Sequence, residues 1–282
     1  MVKCHNPYLF VVIFLILLSS FAYGEETKIH VIDVGTGDAV LIENNDSYIL
    51  IDAGPERNTT ASYLVGHNIT DISLLLVSGI SSEKTGGILE VMNRTKVHEY
   101  RDYGKSDLPY YNRITSHIRN ESIPHTPLLS GEVIPFGNEG TIEVIPEIIQ
   151  DATQTRDAII KITVGKISTL LLSQNPNPQI NITDPIQIIR VADHGSRDGY
   201  NARFIQSIQP EVAIISVGRE TEGPNKATTM GLEAFGAEIY RTDIKGTILI
   251  TTDGEKYIMG SSRSSPGGSI SLVSVIETRP PG

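Results

Sequence analysis

Cysteine is almost missing from this 282-residue chain, which has one, Cys4. If Cys4 belongs to a removable targeting segment, the working protein has no thiol. That excludes cysteine-ligated zinc, iron–sulfur clusters, thiol catalysis and disulfide staples. Histidine is scarce too: seven residues, one of them His5 beside the cysteine, so six remain. Positive charge is thin. The formal charge is −10, and Arg and Lys are scattered without the basic run that nucleic-acid binding uses, so no strong nucleic-acid binding is expected. What is present in quantity is apolar: 39% hydrophobic residues let a chain of this length bury one sizeable core by burial alone.

The first 24 residues have the layout of a secretory signal. Lys3 is the positive start, Leu9 to Leu18 an unbroken apolar run, and Ala22-Tyr23-Gly24 the small-residue cleavage region. The run falls short of the roughly 20 residues that comfortable membrane spanning needs, so membrane contact is expected only if this segment stays uncleaved. Removing it moves the charge from −10 to −11. Six Asn-x-Ser/Thr sequons follow, at Asn45, Asn58, Asn68, Asn93, Asn120 and Asn181. With 14 Asn and 47 Ser plus Thr, chance supplies about two. Together these features predict a secreted or cell-surface protein carrying candidate glycosylation sites. At the far end, residues 261–282 are expected to be a Ser/Gly/Pro linker and short tail outside a main domain of residues 25–260.

Between the ends, strands alternate with helices. Lys28–Val34 and Ala39–Glu43 form a hairpin around Gly35-Thr36-Gly37-Asp38, and Tyr48–Ile51 follows and stops at Asp52-Ala53-Gly54-Pro55. Ile72–Val77 is a near-continuous apolar run of the kind expected for a strand covered on both faces. Further strands are expected over 141–145, 158–164, 168–172, 186–191, 212–217, 246–252 and 256–259. Helices are expected over 59–67, 109–118 and 227–235, with a further start at Gly86. Many strands with helices between them argue for two sheets sandwiched by helices.

Several of these stretches, in order, resemble the metallo-β-lactamase fold and, within it, the extracellular domain of ComEC-like competence proteins. They are Ile29–Ile42, Ile49–Pro55, Arg190–Ser196, Pro210–Gly218 and Gly236–Asp243. The resemblance implies an α/β, four-layer αββα sandwich with its site along one edge. Active members hold two metal ions, Zn or Mn if this chain is active, and hydrolyse phosphoester or lactam-type bonds by making a bridging water a hydroxide. Aligned on Leu74-Leu75-Leu76 and Gly86-Gly87, the family's His-x-His-x-Asp-His ligands fall on Gly79, Ser81, Glu83 and Lys84. Its bridging aspartate falls on Asn175. Only Asp52 and His194 match family ligands, with Asp193 where a second histidine stands. No two of the six histidines are closer than eight residues, which excludes a dinuclear site built from local imidazole clusters.

Bland roles compete with functional ones. Asp52 could orient a metal or cap a turn. His194 could be a remnant ligand, or be held by Asp193 or a backbone carbonyl. The glycines of 35–38 serve a turn rather than a phosphate, because no helix follows them. Ser81 to Lys84 are expected to form a solvated polar loop, and Tyr100, Tyr103, Tyr110 and Tyr111 to pack over the sheet. The expectation is an exported scaffold that has lost most metal ligands, needs no cofactor and binds a surface partner or small ligand. The alternative is a metal-dependent phosphodiesterase or nuclease with a reduced site at Asp52, Asn175 and His194.

Overall fold

The computed structural model describes residues 25–102, 109–145, 157–176, 180, 182–263 and 271–276. The segment with signal character lies outside them. The strands are β1 (Thr27–Val31), β2 (Val40–Asn44), β3 (Ser47–Ile51), β4 (Asp71–Ile72), β5 (Leu74–Leu76), β6 (Lys96–Val97), β7 (Tyr100–Asp102), β8 (His125–Pro127) and β9 (Val133–Phe136). They continue as β10 (Gly140–Ile145), β11 (Ile159–Val164), β12 (Ile167–Leu171), β13 (Ile188–Arg190), β14 (Val212–Ile215), β15 (Glu238–Arg241), β16 (Ile248–Thr252), β17 (Tyr257–Ser261) and β18 (Ser271–Ile276). The α-helices are α1 (Thr59–Gly66), α2 (Ser82–Thr85), α3 (Ile88–Arg94), α4 (Pro109–Asn120), α5 (Ala202–Ile208), α6 (Lys226–Ala234) and α7 (Thr242–Lys245).

Two large sheets result, in the orders β18-β17-β16-β1-β2-β3-β5-β7-β8 and β15-β14-β13-β12-β11-β10-β9. Side-chain alternation divides each strand between two faces. Ile29, Val31, Ile42, Ile51 and Leu76 of the first sheet meet Ile142, Val144, Ile160, Ile162 and Ile214 of the second in one buried cluster. Leu41, Leu50 and Leu75 point the other way, onto Leu64 of α1, Val91 of α3 and Ile114 and Ile118 of α4. Phe204, Ile205 and Leu232 of α5 and α6 cover the second sheet through Ile189, Ala213 and Ile215. The expected four layers are all present.

The site is positioned by a change in strand direction. Each sheet begins as antiparallel hairpins and ends as a parallel run, β3-β5-β7-β8 in the first and β12-β13-β14-β15 in the second. The carboxyl ends of parallel strands are where loops from several strands can converge on one ligand. Asp52 follows β3, Ser78 follows β5, Ser173 follows β12 and His194 follows β13.

Two expectations change. Ile72–Val77 is not one strand, because Ser73 turns aside to hydrogen-bond the Tyr48 carbonyl through both its N–H (2.8 Å) and its hydroxyl (2.6 Å). Asp71-Ile72 then pairs with β6, and Leu74–Leu76 continues the main sheet. The terminal apolar stretch does not lie apart from the fold: Ser271–Ile276 pairs antiparallel with β17 and extends the sheet by one strand. The short elements β6 to β9 and helix α5 carried no sequence signal strong enough to expect them.

Inter-sheet packing predicts that Ile160→Ala, at a fully buried position, costs roughly 2–5 kcal/mol in denaturant unfolding. Val133→Ala, at a half-exposed position on the edge strand β9, changes stability by less than about 0.5 kcal/mol.

Candidate functional site

The loop after β3 is stitched to the short helix α2. Asp52 donates its N–H to Leu76 O, and Ala53 donates to Lys84 O at 2.7 Å. This path puts Asp52 in the left-handed region, at φ 59°, a conformation that Asp tolerates because its short side chain bonds locally. Its two carboxylate oxygens both go to Ser78: Oδ1 accepts the backbone N–H at 2.8 Å and Oδ2 accepts the hydroxyl at 2.6 Å.

Lys84 lies at the centre. Far from being part of a solvated loop, its side chain is 4% exposed. The helical turn over 82–85, with Thr85 donating to Ser81 O, carries it inward instead of letting it extend into water. Its Nζ donates to Ser78 Oγ at 2.9 Å and Ser173 Oγ at 2.5 Å, and pairs with Asp157 Oδ2 at 2.9 Å; Asp38 Oδ2 is 3.8 Å away. An ammonium has three N–H donors, and three short contacts use all of them.

A second buried pair supports the first. Arg190, 2% exposed, bonds Asp38 Oδ1 through Nη1 and the Leu172 carbonyl through Nη2 at 2.9 Å. Burial by itself would raise the Asp38 carboxyl, yet Arg190 and Lys84, with help from His194, hold it below the usual carboxylate range. Asp52 behaves oppositely. Burial pushes it up to about 6, with Asp38 adding to the rise while Lys84 and Ser78 pull against it.

At the mouth, residues 192–195 form a 3₁₀ turn in which Asp193 and His194 both have positive φ, 45° and 52°. His194 Nδ1 is 2.8 Å from the Ser216 carbonyl. A carbonyl only accepts, so Nδ1 carries the proton, and the backbone carbonyl is what holds this ring. Nε2 is the ring nitrogen turned away from that carbonyl. It meets Glu83 Oε2 at 3.1 Å. Asp193 stands nearby, its carboxyl raised first by burial and further by Asp157 and Asp38.

The remaining expected positions separate from this cluster. Asn175 is exposed and donates its amide to the Asp198 carbonyl at 2.8 Å. Ser81 only precedes α2. At Gly79 an added Cβ would lie 1.8 Å from Asp157 Oδ1, so Asp157 fills the space into which a side chain at 79 would project. The other histidines lie elsewhere: His30 is beside Tyr63 and Glu43, His98 beside Asp71, and His125 beside Asp102. Among the sequon residues, Asn45, Asn58, Asn68, Asn93 and Asn120 are exposed, and Asn181 lies outside the described residues. Tyr100 and Tyr111 are buried as expected of packing residues, with Tyr111 donating to Asp102 Oδ2; Tyr103 is outside the described residues.

Sequence reasoning missed Asp38, Ser78, Asp157, Ser173 and Arg190. A buried Lys and Arg must find carboxylates. That rule demands partners for Lys84 without saying which, since Ser173 and Asp38 are 89 and 152 residues from the cations they meet.

The donor set does not suit a metal pair. Three of the four oxygens around the centre already serve an ammonium, two of these are neutral hydroxyls, and the single imidazole nearby is engaged by Glu83. Among the described residues, no group of three or more His, Cys, Asp or Glu has a geometry that could hold a metal ion.

No family model matches the chain. It is 21% identical to ComE operon protein 3 of Bacillus subtilis over 253 residues, an alignment covering 79% of this chain and 33% of that protein. The chain thus spans about a third of the length of this relative. Among solved structures it resembles the metallo-beta-lactamase fold protein YhfI from Bacillus subtilis, with a TM-score of 0.61 and 11% identity over 81% of this chain and all of that one. It also resembles a diphosphatase from the PhnP family, at TM-score 0.52 and 11% identity over 80% and 98% of the two chains. Zn(2+)-bound PqqB from Methylobacterium extorquens matches at TM-score 0.51 and 8% identity over 76% and 97% of the two chains. The fold is the metallo-β-lactamase sandwich, and its sequence likeness runs to a ComEC-type protein.

The elevated Asp52 carboxyl gives a pH prediction. Unfolded, it titrates near 4; folded, near 6. The folded state binds that proton more tightly, so stability falls as pH rises between these values, and the penalty is complete above about 6. Asp52→Asn removes this dependence and fits the left-handed backbone. From pH 4 to 7 the stability difference should move in the variant's favour by roughly 2–3 kcal/mol in denaturant titrations. A pH-independent difference would show that Asp52 is not the group titrating.

Proposed function

We propose that this protein is an exported, non-catalytic scaffold built on a metallo-β-lactamase fold, binding a surface partner or small ligand at or near the former catalytic edge. The observation that carries this reading is the Lys84 ammonium, seated among Ser78, Ser173 and Asp157 with its three donors used. A metal pair beside it would add positive charge to a cationic centre. A lysine so engaged also has no free donor or lone pair for general acid–base work. The apolar segment at residues 9–18 and the exposed sequon asparagines support export and surface exposure, and any residence at the membrane would come from that segment remaining uncleaved.

A second reading, a metal-dependent phosphodiesterase-type hydrolase with a reduced site, draws on one observation. His194 is held through Nδ1 by a backbone carbonyl, as a ligand is whose outer hydrogen bond fixes its orientation. Of the other positions this reading draws on, Asp52 is engaged by Ser78 and Asn175 by the Asp198 carbonyl.

Metal analysis of the purified mature protein, paired with a generic phosphodiester assay, separates the two. The scaffold reading expects well under one zinc or manganese per chain and no metal-stimulated hydrolysis. Two metals per chain would refute it. The hydrolase reading expects metal-dependent turnover that falls at least tenfold in His194→Ala, and parental activity in that variant defeats it.

A further inference from the structure

The oxygens around Lys84 come from separate loops. Ser78 follows β5, Asp157 precedes β11, Ser173 follows β12, and Asp38 lies between β1 and β2. They converge at the carboxyl ends of the parallel strands, where this fold gathers its ligands. The contacts to Nζ are hydrogen-bond lengths, 2.5–2.9 Å, rather than the 2.0–2.2 Å of metal–oxygen bonds. Nor is the cage a chance enclosure. Ser78 is fixed from behind by Asp52, Ser173 donates to the Ala158 carbonyl at 3.3 Å, and Asp38 is clamped by Arg190. Ser78, Ser173 and Asp38 are therefore each held in place by something other than the lysine.

We infer that this is a cation-binding cage which the chain fills with its own ammonium, Lys84 standing tethered where a freely bound cation would otherwise sit. The inference rests on the scaffold reading and goes beyond it by assigning the site an occupant and a ligand class. Three acceptors match the three donors of a primary ammonium. Asp38, Asp52 and Asp157 set against Arg190 leave an excess of negative charge once Lys84 is removed. Emptied by Lys84→Ala, the cage should take a small primary alkylammonium whose carbon chain follows the vacated stem, or a hard divalent cation suited to oxygen donors.

The test uses the full mature chain. Lys84→Ala should unfold at lower temperature than the parent, and propylammonium should raise its midpoint progressively with concentration, as mass action requires. Tetramethylammonium, a cation without N–H donors, should raise it far less. Magnesium and manganese form a parallel arm: a rise specific to the variant supports the cage as a reader of positive charge. Equal responses of parent and variant to every cation would overturn the inference, as would a variant as stable as the parent. Should Lys84→Ala fail to fold, the parent itself supplies the measurement. The Lys84 ammonium should give a nitrogen NMR signal with slowly exchanging protons and resist amine acylation, while Lys166, with its side chain 73% exposed, reacts. Acylation of Lys84 at the Lys166 rate would overturn the cage. Hydrolytic activity with the cage intact would defeat the scaffold reading alone, so the two failures are distinguishable.

Discussion

A buried ammonium is the constraint from which the site edge takes its form. Taking Lys84 out of water costs several kcal/mol unless its charge and all three donors are answered. The chain answers with groups from both sheets: Ser78 and Asp38 from the first, Ser173 and Asp157 from the second. The same edge carries further ties between the halves, with Asp38 to Arg190, Glu83 to His194 and Arg57 to Glu220. In the layers below, the sheets are joined by apolar packing, which is non-directional. At this edge they are joined by directional contacts that fix the relative position of the loops. Ion pairs and charge-assisted hydrogen bonds tie the two halves together at this edge.

The retained backbone and the altered side chains follow different logics. Asp52, Asp193 and His194 keep left-handed conformations, each costing of order 1 kcal/mol or more for a residue with a side chain. Such strain persists only where the surroundings over-determine it. Here they do, through Asp52 N–H to Leu76 O, Ala53 N–H to Lys84 O, Ser196 N–H to Asp193 O and Asn225 N–H to Gly195 O. These bonds belong to the loop framework and do not depend on which ion sits at the centre. The loop framework is therefore compatible with different side chains at the centre, and it fixes the His194 ring through the Ser216 carbonyl whichever they are.

This separation explains what the sequence disclosed. Long apolar strands such as Ala158 to Val164 and Ser168 to Leu172 announce themselves by composition and period, and the glycine-bounded loops at 52–55 and 193–196 mark the fold. Two-residue strands such as Lys96-Val97 carry no period at all, and Ser73 breaks a strand through a bond to Tyr48 that no local pattern encodes. The site was legible as a set of losses at 79, 81, 84 and 175, but not as a replacement. Lys84 in Ser81-Ser82-Glu83-Lys84-Thr85 has the composition of a surface loop. Its burial is decided by acceptors distant in the chain, and Asp157 belongs to no motif. Charge compensation is a property of the folded arrangement, and only one side of it, the unpaired lysine in a ligand position, is written locally.

The replacement is also interlocked. A side chain at Gly79 requires the space taken by Asp157 Oδ1, 1.8 Å from where its Cβ would stand. Asp157 in turn is the nearest carboxylate to Lys84. Restoring a histidine at 79 therefore means displacing Asp157, which leaves the ammonium with two hydroxyls and a more distant Asp38 already committed to Arg190. Breaking the pair in this way leaves a buried ammonium without its nearest counter-charge, which is destabilising even though the Asp157 carboxylate is partly exposed. Replacing Lys84 first is no easier, since it leaves the buried Asp52 and the partly buried Asp157 without their cation. Gly79, Lys84 and Asp157 thus behave as one unit: each is tolerable given the other two, and any single step toward a metal ligand set passes through an uncompensated charge.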